Sequence, residues 1–241
     1  MDHSRATGAW ATVVAVSPVK AVGFDLDETL FDHRGAADAG ADAFAAHLGV
    51  DDASAFRAAW SAAEETEFER WRRGEISFAE QRRRRLVRVL RVFGLDVPAD
   101  AAGLDAMFDR YLAMYRTHWR AFPEALEVLA ALRRAELRIG VLTNGAEVQQ
   151  KEKLSIIGLA DAVDIVCTSE GIGVQKPDAR AFDALAERLG VVPGECLFVG
   201  DNPLHDVEGA RSAGMRALRI ARDAPAPNDL TAVLDAAGVL R

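Results

Sequence analysis

The second half of the chain alternates between strand-like and helical segments, and this alternation constrains the fold more than any other feature. Apolar runs rich in β-branched residues occupy 137–142, 163–167, 196–199 and 215–220, and amphipathic helical patterns occupy 124–134, 147–157, 179–189 and 204–213. Strands that alternate with helices are typical of parallel sheets, because each crossover must return the chain to the start of the next strand. We therefore predict an α/β fold with a doubly wound, mainly parallel, Rossmann-like sheet.

A further apolar run at 19–24 lies far upstream of this pattern, and the segment between them reads as helix. Eight of the 11 Phe, three of the four Trp and both Tyr fall between Phe31 and Phe122. A small helical module needs such large side chains to build a core, so we expect most of these rings to be core residues. We predict an α/β core formed by 19–31 and 123–241, an inserted all-helical cap at 32–122, and an N-terminal extension at 1–18.

Composition excludes several classes of protein. The net charge of −8 argues against a general nucleic-acid binder. No apolar run is long enough to cross a bilayer, and residues 1–18 lack the features of a secretory signal peptide, so we expect a cytoplasmic protein with no membrane partner. Cys167 and Cys196 each lie at one end of a strand-like run and are expected to be buried thiols. The sequence does not indicate an oligomeric state.

The arginine-rich segment 82–91 is the densest run of positive charge in the chain. Glutamates at 64, 65, 67, 69 and 80 are available to pair with it. This balance favours a solvated helix face over a binding patch.

Polar side chains follow four of the predicted strands. They are Asp25, Asp27 and Thr29 after the first, Thr143, Asn144 and Gly145 after the second, Lys176 after the third, and Asp201 and Asp206 after the fourth. The carboxyl ends of parallel strands meet in one crevice, so these groups are expected to converge. Carboxylates at i and i+2 point to opposite faces of a strand, so Asp25 and Asp27 can converge only if the chain leaves the strand between them. Each group alone suits a turn or a helix cap, but the ordered set predicts one catalytic site.

The residue types at these strand ends suit phosphoryl transfer. Asp25 can attack phosphorus and form an aspartyl-phosphate. A carboxylate and a phosphate repel each other, and Mg²⁺ held by Asp25 and Asp201 would offset that repulsion.

Other strand-end groups can bind the phosphate and move protons. The groups that can hold phosphate oxygens are the Thr143 hydroxyl, the backbone N–H groups around Asn144 and Gly145, and the Lys176 ammonium. Asp27 can protonate the leaving oxygen and then take a proton from the attacking water. That cycle needs a raised pKa, which neighbouring carboxylates and partial burial of Asp27 are expected to supply.

The ordered set resembles the motifs of the haloacid dehalogenase-like hydrolase superfamily, over roughly residues 19–222. The matching segments are Asp25-Leu26-Asp27-Glu28-Thr29, Thr143 after an apolar strand, Lys176-Pro177, and Gly200-Asp201 with Asp206. The helical insertion is similar to the family's type I cap. The segment 141–145, with Gln149 and Lys153 downstream, resembles the phosphatase branches most closely.

The resemblance implies a role for each motif residue and Mg²⁺ as the cofactor. Asp25 would be the nucleophile and a metal ligand, and Asp27 the acid/base with its backbone oxygen on the metal. Asp201 would be a further metal ligand. Thr29 and Asp206 would support these groups from outside the metal's ligand shell.

Single residues distinguish this chain from members of the superfamily that catalyse other reactions. Its dehalogenases lack the second aspartate and do without Mg²⁺, so Asp27 argues against that activity. Imine-forming phosphonate hydrolysis needs a cap lysine, and no lysine lies between Lys20 and Lys151. A phosphosugar mutase stays open, although mutases commonly have Gly where Glu28 stands. A non-catalytic binding protein is the third alternative.

The leading expectation is a Mg²⁺-dependent phosphomonoester hydrolase that acts on a small phosphorylated metabolite. A helical cap would close over the site and exclude water, with hinges at 31–34 and 121–123. His33, Arg34, His118 and Arg120, which lie near these junctions, are candidate substrate contacts.

Overall fold

Five parallel strands form a single sheet in a computed structural model that describes residues 17–222, 224 and 227–239. The strands are β1 (Ala21–Phe24), β2 (Arg138–Thr143), β3 (Ile165–Thr168), β4 (Cys196–Gly200) and β5 (Arg216–Arg219). Their order is β3-β2-β1-β4-β5, with Phe24 of β1 opposite Val141 of β2 and Val199 of β4. The predicted parallel sheet is confirmed. Residues 1–16 of the predicted N-terminal extension lie outside the described residues.

Four helices lie between β1 and the rest of the sheet. They are α1 (His33–His47), α2 (Ala53–Arg72), α3 (Phe78–Val92) and α4 (Ala101–Arg116). A polar side chain accepts a backbone N–H at the start of each helix, and these residues are Asp32, Asp52, Ser77 and Asp100. The predicted Ser77 cap is confirmed, because its hydroxyl accepts from the Glu80 N–H at 3.1 Å.

An aromatic core holds these four helices together. Trp60 is 1% exposed, and its ring centroid lies 4.3 Å from that of Tyr111, 5.6 Å from Phe44 and 5.9 Å from Phe56. Such ring clusters bury large apolar areas and fix the crossing of the helices that carry them. The expectation that most of these aromatic residues are core is confirmed.

Helices cover both faces of the sheet, as strands that are apolar on both faces require. The later helices are α5 (Ala125–Arg134), α6 (Glu147–Ile156), α7 (Ser169–Ile172), α8 (Ala179–Leu189), α9 (Gly209–Ser212) and α10 (Ala232–Ala236). Residues of α5, α6 and α10 share one buried cluster with Val22 and Phe24, and residues of α8 and α9 share another with Ala21. Cys167 and Cys196 are free, buried thiols, as predicted. No helix of the described part of the chain is long and apolar enough to span a bilayer.

The helix predicted at 204–213 begins differently from a regular α-helix. Pro203–Glu208 forms a π-helical turn that leads into α9. The Asn202 carbonyl accepts from the N–H groups of both Asp206, at 3.0 Å, and Val207, at 3.2 Å. A π turn is wider than an α turn and is frequent at functional sites. Here it follows β4 directly and carries Asp206.

The two connections to the helical insertion run side by side. Phe31 and Ala121 form an antiparallel bridge. The Asp32 N–H donates to the Arg120 carbonyl at 3.1 Å, and the Phe122 N–H donates to the Leu30 carbonyl at 3.0 Å. The four helices therefore join the sheet through one narrow, two-stranded connection. That residues 32–122 act as a cap with hinges here stays a prediction.

Candidate active site

The ends of β1, β2 and β4 bring the predicted residues to one edge of the sheet. Asp25 follows β1 directly, Thr143 is the last residue of β2, and Asp201 follows β4. All three line one cavity of about 490 Å³, together with Asp27 and Lys176. The convergence that parallel strand ends predict is therefore observed for these five residues, which line the same cavity.

A buried ion-pair network lies at the base of this cavity. The Lys176 ammonium donates to Asp25 Oδ1 at 2.5 Å and to Asp206 Oδ1 at 2.6 Å, and these residues are 4%, 7% and 1% exposed. The second oxygen of Asp25 accepts, from the described residues, only a long bond from the Thr29 hydroxyl, at 3.4 Å. A buried ion pair persists when its charges are matched and hydrogen-bonded, so Lys176 fixes the orientation of both carboxylates.

Gly200 explains how Asp206 can lie so close to the end of β4. A Cβ atom built on Gly200 would come within 2.4 Å of the Asp206 carboxyl carbon, so no larger residue fits there. The second oxygen of Asp206 accepts from the Asn202 N–H at 2.9 Å. The Gly-Asp pair and the π turn are therefore one local arrangement that directs Asp206 back to Lys176.

Asp25, Asp201 and Asp206 form an acidic cluster with one carboxylate oxygen of each within 4.8 Å of the others. Burial and the neighbouring carboxylates raise the pKa of Asp25 well above its ordinary value, against the opposing effect of Lys176. Burial, Asp206 and Glu28 raise the pKa of Asp201 to about 7. Three carboxylates face one ammonium, so the ionised cluster carries two uncompensated negative charges. An all-oxygen donor set with this excess charge fits a hard divalent cation.

Asp27 is not part of the acidic cluster and pairs with a different lysine. Its carboxylate oxygens accept from the Lys153 ammonium at 2.6 and 2.9 Å, and Oδ2 is 3.5 Å from Gln150 Nε2. Burial acts to raise the pKa of Asp27, but Lys153, His33 and the hydrogen bonds outweigh it, and the pKa is lowered. The raised pKa expected from the sequence is therefore wrong for this arrangement, because an ammonium rather than a carboxylate is the nearest charge.

The residues after β2 are held by neighbouring loops. The Thr143 hydroxyl accepts from Gln150 Nε2 at 2.6 Å, and the Asn144 side chain exchanges two hydrogen bonds, each of 2.9 Å, with the backbone of Lys176. The Gly145 N–H donates to Ser169 Oγ at 3.0 Å. Gly145 lines the cavity with its N–H bonded to Ser169, and the phosphate-binding role of the N–H groups around Asn144 and Gly145 stays a prediction.

Only one of the four predicted substrate contacts lines the cavity. His33 does so, with its Nδ1 2.7 Å from the Tyr115 hydroxyl. Arg120 pairs with Asp32 at 2.5 Å on the surface, and the Arg34 N–H donates to the Glu28 carboxylate. Arg34, His118 and Arg120 are absent from the described lining of this cavity. Proximity to a chain junction was therefore a poor guide to which side chains face the site.

Glu28 occupies a backbone conformation that favours glycine. Its φ is +64°, in the left-handed region, and its carboxylate accepts from the N–H of Arg34 near the start of α1. A non-glycine residue is uncommon here and costs about 1 kcal/mol or more of strain. The hydrogen bond to α1 offsets part of this cost. Glu28 also lines the cavity.

The prediction of a solvated face for the arginine-rich segment is wrong for two residues of α3. Arg85 is 4% exposed and donates to Glu64 at 2.7 Å, and Arg82 is half-buried and donates to Gln149 Oε1 at 3.2 Å. Both line the cavity, whereas Arg84 pairs with Glu80 on the exposed surface. The sequence does contain a pattern that indicates a buried side for these arginines. Phe78, Arg82 and Arg85 recur at helical spacing, so the two arginines lie on the same side of α3 as an aromatic residue.

The sequence comparisons extend to characterised hydrolases. Ribulose-1,5-bisphosphate 5-phosphatase of Halopiger xanaduensis is 33% identical over 199 residues, which are 81% of this chain and 82% of that protein. Phosphoserine phosphatase of Thermus thermophilus is 44% identical over 107 residues, 44% of this chain and 43% of that protein. The chain spans between 43% and 60% of the length of the first curated relatives that it matches.

Solved structures share the whole architecture. A haloacid dehalogenase-like hydrolase from Bacillus subtilis, solved with magnesium, superposes with a TM-score of 0.76 at 20% identity, covering 92% of this chain and 99% of that one. This likeness shows the fold. L-2-haloacid dehalogenase of Xanthobacter autotrophicus superposes with a TM-score of 0.66 at 30% identity, covering 86% of this chain and 79% of that one. Overall similarity therefore includes both dehalogenases and phosphatases, and the site residues must separate them.

A family model described as haloacid dehalogenase-like hydrolase matches residues 19–214, which include β1, the helical insertion and the ends of β2, β3 and β4. The matched range thus contains every residue of the acidic cluster and the Lys176 network. The protein belongs to the haloacid dehalogenase-like hydrolase family.

Proposed function

We propose that the protein is a Mg²⁺-dependent phosphomonoester hydrolase that works through an aspartyl-phosphate on Asp25. The observation that carries this proposal is the buried cluster in which Lys176 holds one oxygen of Asp25, at 2.5 Å, beside Asp201 and Asp206. Within the described part of the chain, the other oxygen accepts only the 3.4 Å bond from Thr29, so it is the better placed nucleophile. The names of the sequence relatives, phosphoserine phosphatase and ribulose-1,5-bisphosphate 5-phosphatase, support the same chemistry.

The residues that would hold Mg²⁺ are the Asp25 and Asp201 carboxylates and the backbone oxygen of Asp27. Asp206 is engaged by Lys176 and by the Asn202 N–H, so its role is to orient Lys176 rather than to bind the metal directly. When bound, the ion would offset the repulsion between the Asp25 carboxylate and the phosphate dianion. Lys176 and Thr143 would contact the remaining phosphate oxygens.

Proton transfer is assigned to Asp27. In the first step Asp25 bonds to phosphorus while the ester oxygen leaves with the proton of Asp27. In the second step a water molecule attacks phosphorus and gives a proton to Asp27. The bond between phosphorus and Asp25 then breaks, which releases phosphate and regenerates the Asp25 carboxylate. Lys153 holds Asp27 ionised, which suits the second step. A phosphate dianion in the cavity opposes that effect and favours the protonated form required by the first step.

Residues 32–122 are proposed to act as a cap that closes over the reacting groups. Within the described residues, hydrogen bonds and an ion pair link these helices to the sheet domain. They join Arg82 to Gln149 at 3.2 Å, Gln175 to the Arg72 carbonyl at 2.9 Å, and Arg116 to Glu152 at 2.9 Å. Closure excludes bulk water, so that only the catalytic water reaches the phosphoenzyme.

Release of p-nitrophenol from its phosphate ester tests the proposal. Activity should require Mg²⁺, disappear in EDTA and be abolished by Asp25→Asn, in a variant that retains its circular dichroism spectrum. Incubation with a sugar monophosphate separates the alternatives, because free phosphate indicates a hydrolase and an isomeric phosphate indicates a mutase. Absence of any turnover would leave a non-catalytic protein, whereas full activity in Asp25→Asn would exclude the assigned nucleophile.

A further inference from the structure

One wall of the cavity that contains the acidic cluster is built by α2 and α3 and carries polar side chains. Its positively charged side chains are Arg72, Arg82 and Arg85. The cavity of about 490 Å³ lies within the range of sites that enclose whole small molecules. With the phosphate on Asp25, the rest of a substrate would therefore lie against this wall.

Most cations that line the cavity already have a carboxylate partner. Lys176 and Lys153 pair with the aspartates at the base, as described above. Arg85 pairs with Glu64 at 2.7 Å, and Arg72 lies 3.4 Å from Glu69. The charges of these four side chains are thus balanced within the described part of the protein.

Arg82 differs from the other cations of the cavity. Among the described residues, no carboxylate lies within the 4.0 Å of its guanidinium that defines an ion pair, and its recorded hydrogen bond goes to the neutral amide oxygen of Gln149. The guanidinium is half-buried, and burial lowers its pKa, although the charges of Asp109 and Asp105 on α4 oppose that effect. A partly desolvated charge without a directly paired carboxylate is costly, so this position is suited to an anion supplied from outside the chain.

Aromatic rings hold the Arg82 guanidinium in place. Its central carbon lies 4.5 Å from the ring centroid of Phe78 and 5.5 Å from that of Phe108. A guanidinium fixed in this way loses little further entropy on binding, and its planar fork matches a carboxylate or phosphate. The bond to Gln149 also links it to α6, the helix that carries Gln150, whose side chain contacts Thr143.

Neighbouring polar atoms add unmet hydrogen-bonding capacity to this wall. The Nε atoms of Arg72 and Arg85 and the Oε1 atom of Gln81 are buried without a partner among the described residues. All three side chains line the cavity. Unpartnered buried polar groups are rare in native proteins, and their concentration here favours a polar rather than an apolar substrate tail.

We propose that Arg82 binds a second anionic group of the substrate, a carboxylate or a further phosphate, so that the enzyme selects phosphomonoesters bearing two separated anionic groups. The inference rests on the proposed function, and it assigns Arg82 to substrate selection rather than to the chemical step.

Matched substrate pairs test this assignment. One pair is 3-phosphoglycerate and glycerol 3-phosphate, which differ by a carboxylate, and the other is fructose 1,6-bisphosphate and fructose 6-phosphate, which differ by a phosphate. The wild-type kcat/KM should favour the doubly anionic member of one pair by about 10- to 100-fold, the range for a charge-assisted hydrogen bond. Arg82→Met should abolish that preference, because it should lower the kcat/KM of the doubly anionic member by about 10- to 100-fold more than that of the singly anionic member. The pair that responds identifies the anion.

Arg84→Met is the matched control, because Arg84 lies on the same helix in a surface pair with Glu80 and does not line the cavity. It should keep the wild-type preference, and Arg82→Lys should restore part of it. Equal wild-type rates within both pairs, or an equal loss on both members in Arg82→Met, would overturn the assignment.

Inhibition of the wild type gives a test that needs no variant. Phosphonoacetate or methylenediphosphonate, which carry two anionic groups, should inhibit the enzyme more strongly than ethylphosphonate, which carries one. Equal potency of all three compounds would contradict the proposal. If no ester is hydrolysed, the proposed function fails and the Arg82 assignment with it. If p-nitrophenyl phosphate is hydrolysed, only the Arg82 assignment is at stake.

Discussion

Replacing Asp201 by Asn should stabilise the metal-free protein above neutral pH and abolish its response to Mg²⁺. Asn has nearly the same shape as Asp but carries no charge. In the metal-free site it would remove one of three clustered carboxylates that face a single ammonium. The variant therefore loses a repulsive interaction and a metal ligand in one step.

The size of the effect follows from the pKa of Asp201, which rises from 3.8 to about 7 on folding. The folded protein binds this proton more tightly than the unfolded chain, so the free energy of unfolding falls as the pH rises through this window. About three pKa units correspond to about 4 kcal/mol as an upper bound at about pH 8. Asp201 is only partly buried, so solvent screening reduces the expected gain for Asp201→Asn to about 1–3 kcal/mol.

Urea denaturation followed by tryptophan fluorescence measures this gain. In EDTA the variant should exceed the wild type in stability at about pH 8, and the difference should disappear below the unfolded pKa of aspartate. Mg²⁺ at about 100 times its dissociation constant should stabilise the wild type by about 2.7 kcal/mol and the variant hardly at all. Asp183→Asn, an exposed site on α8, is the control and should behave as wild type. A variant that is less stable in EDTA at about pH 8, or that still responds to Mg²⁺, would refute this account of the cluster.

Two further substitutions test the site and the sheet beneath it. Lys153→Met removes the ammonium that lowers the pKa of Asp27, so burial should then raise that pKa. Because the first step needs protonated Asp27, the alkaline limb of the kcat/KM profile should move to higher pH, and an unmoved limb would contradict the pairing. Gly23→Ala would place a Cβ atom 2.6 Å from a methyl group of Leu185, and we expect urea denaturation to show a loss of about 1–3 kcal/mol. Gly194→Ala, with no atom within 4 Å of the added Cβ, is its control, and equal losses in both variants would argue against tight packing of α8 on β1.

The sheet and the base of the site could be predicted because short segments of the sequence are enough to identify the strands and their ends. Apolar runs mark the strands, and polar residues directly after them mark the strand ends. Parallel topology then requires those ends to meet, which places Asp25, Thr143 and Asp201 together without knowledge of any side-chain contact. The helical segment 32–122 was readable for the same reason, from the spacing of its apolar residues.

Partners that are distant in sequence could not be predicted in this way. Lys153 lies 126 positions from Asp27, and nothing in either segment indicates that the two side chains meet. The pKa of Asp27 was therefore expected to rise, whereas Lys153 lowers it. Periodicity also identifies a helix without saying which side faces which neighbour. For this reason Arg82 and Arg85 were assigned to solvent although they face the cavity.

Trapping of the phosphoenzyme tests the central claim most directly. Enzyme mixed with Mg²⁺ and a phosphomonoester would be quenched in acid, digested and analysed by mass spectrometry. The account predicts one added phosphoryl group on the peptide that contains Asp25, and no such group in Asp25→Asn. With p-nitrophenyl phosphate, whose leaving group needs little protonation, the phosphoenzyme should accumulate in Asp27→Asn because the second step lacks its base. Phosphate release without any labelled peptide in either the wild type or Asp27→Asn, or with the label on another residue, would contradict it.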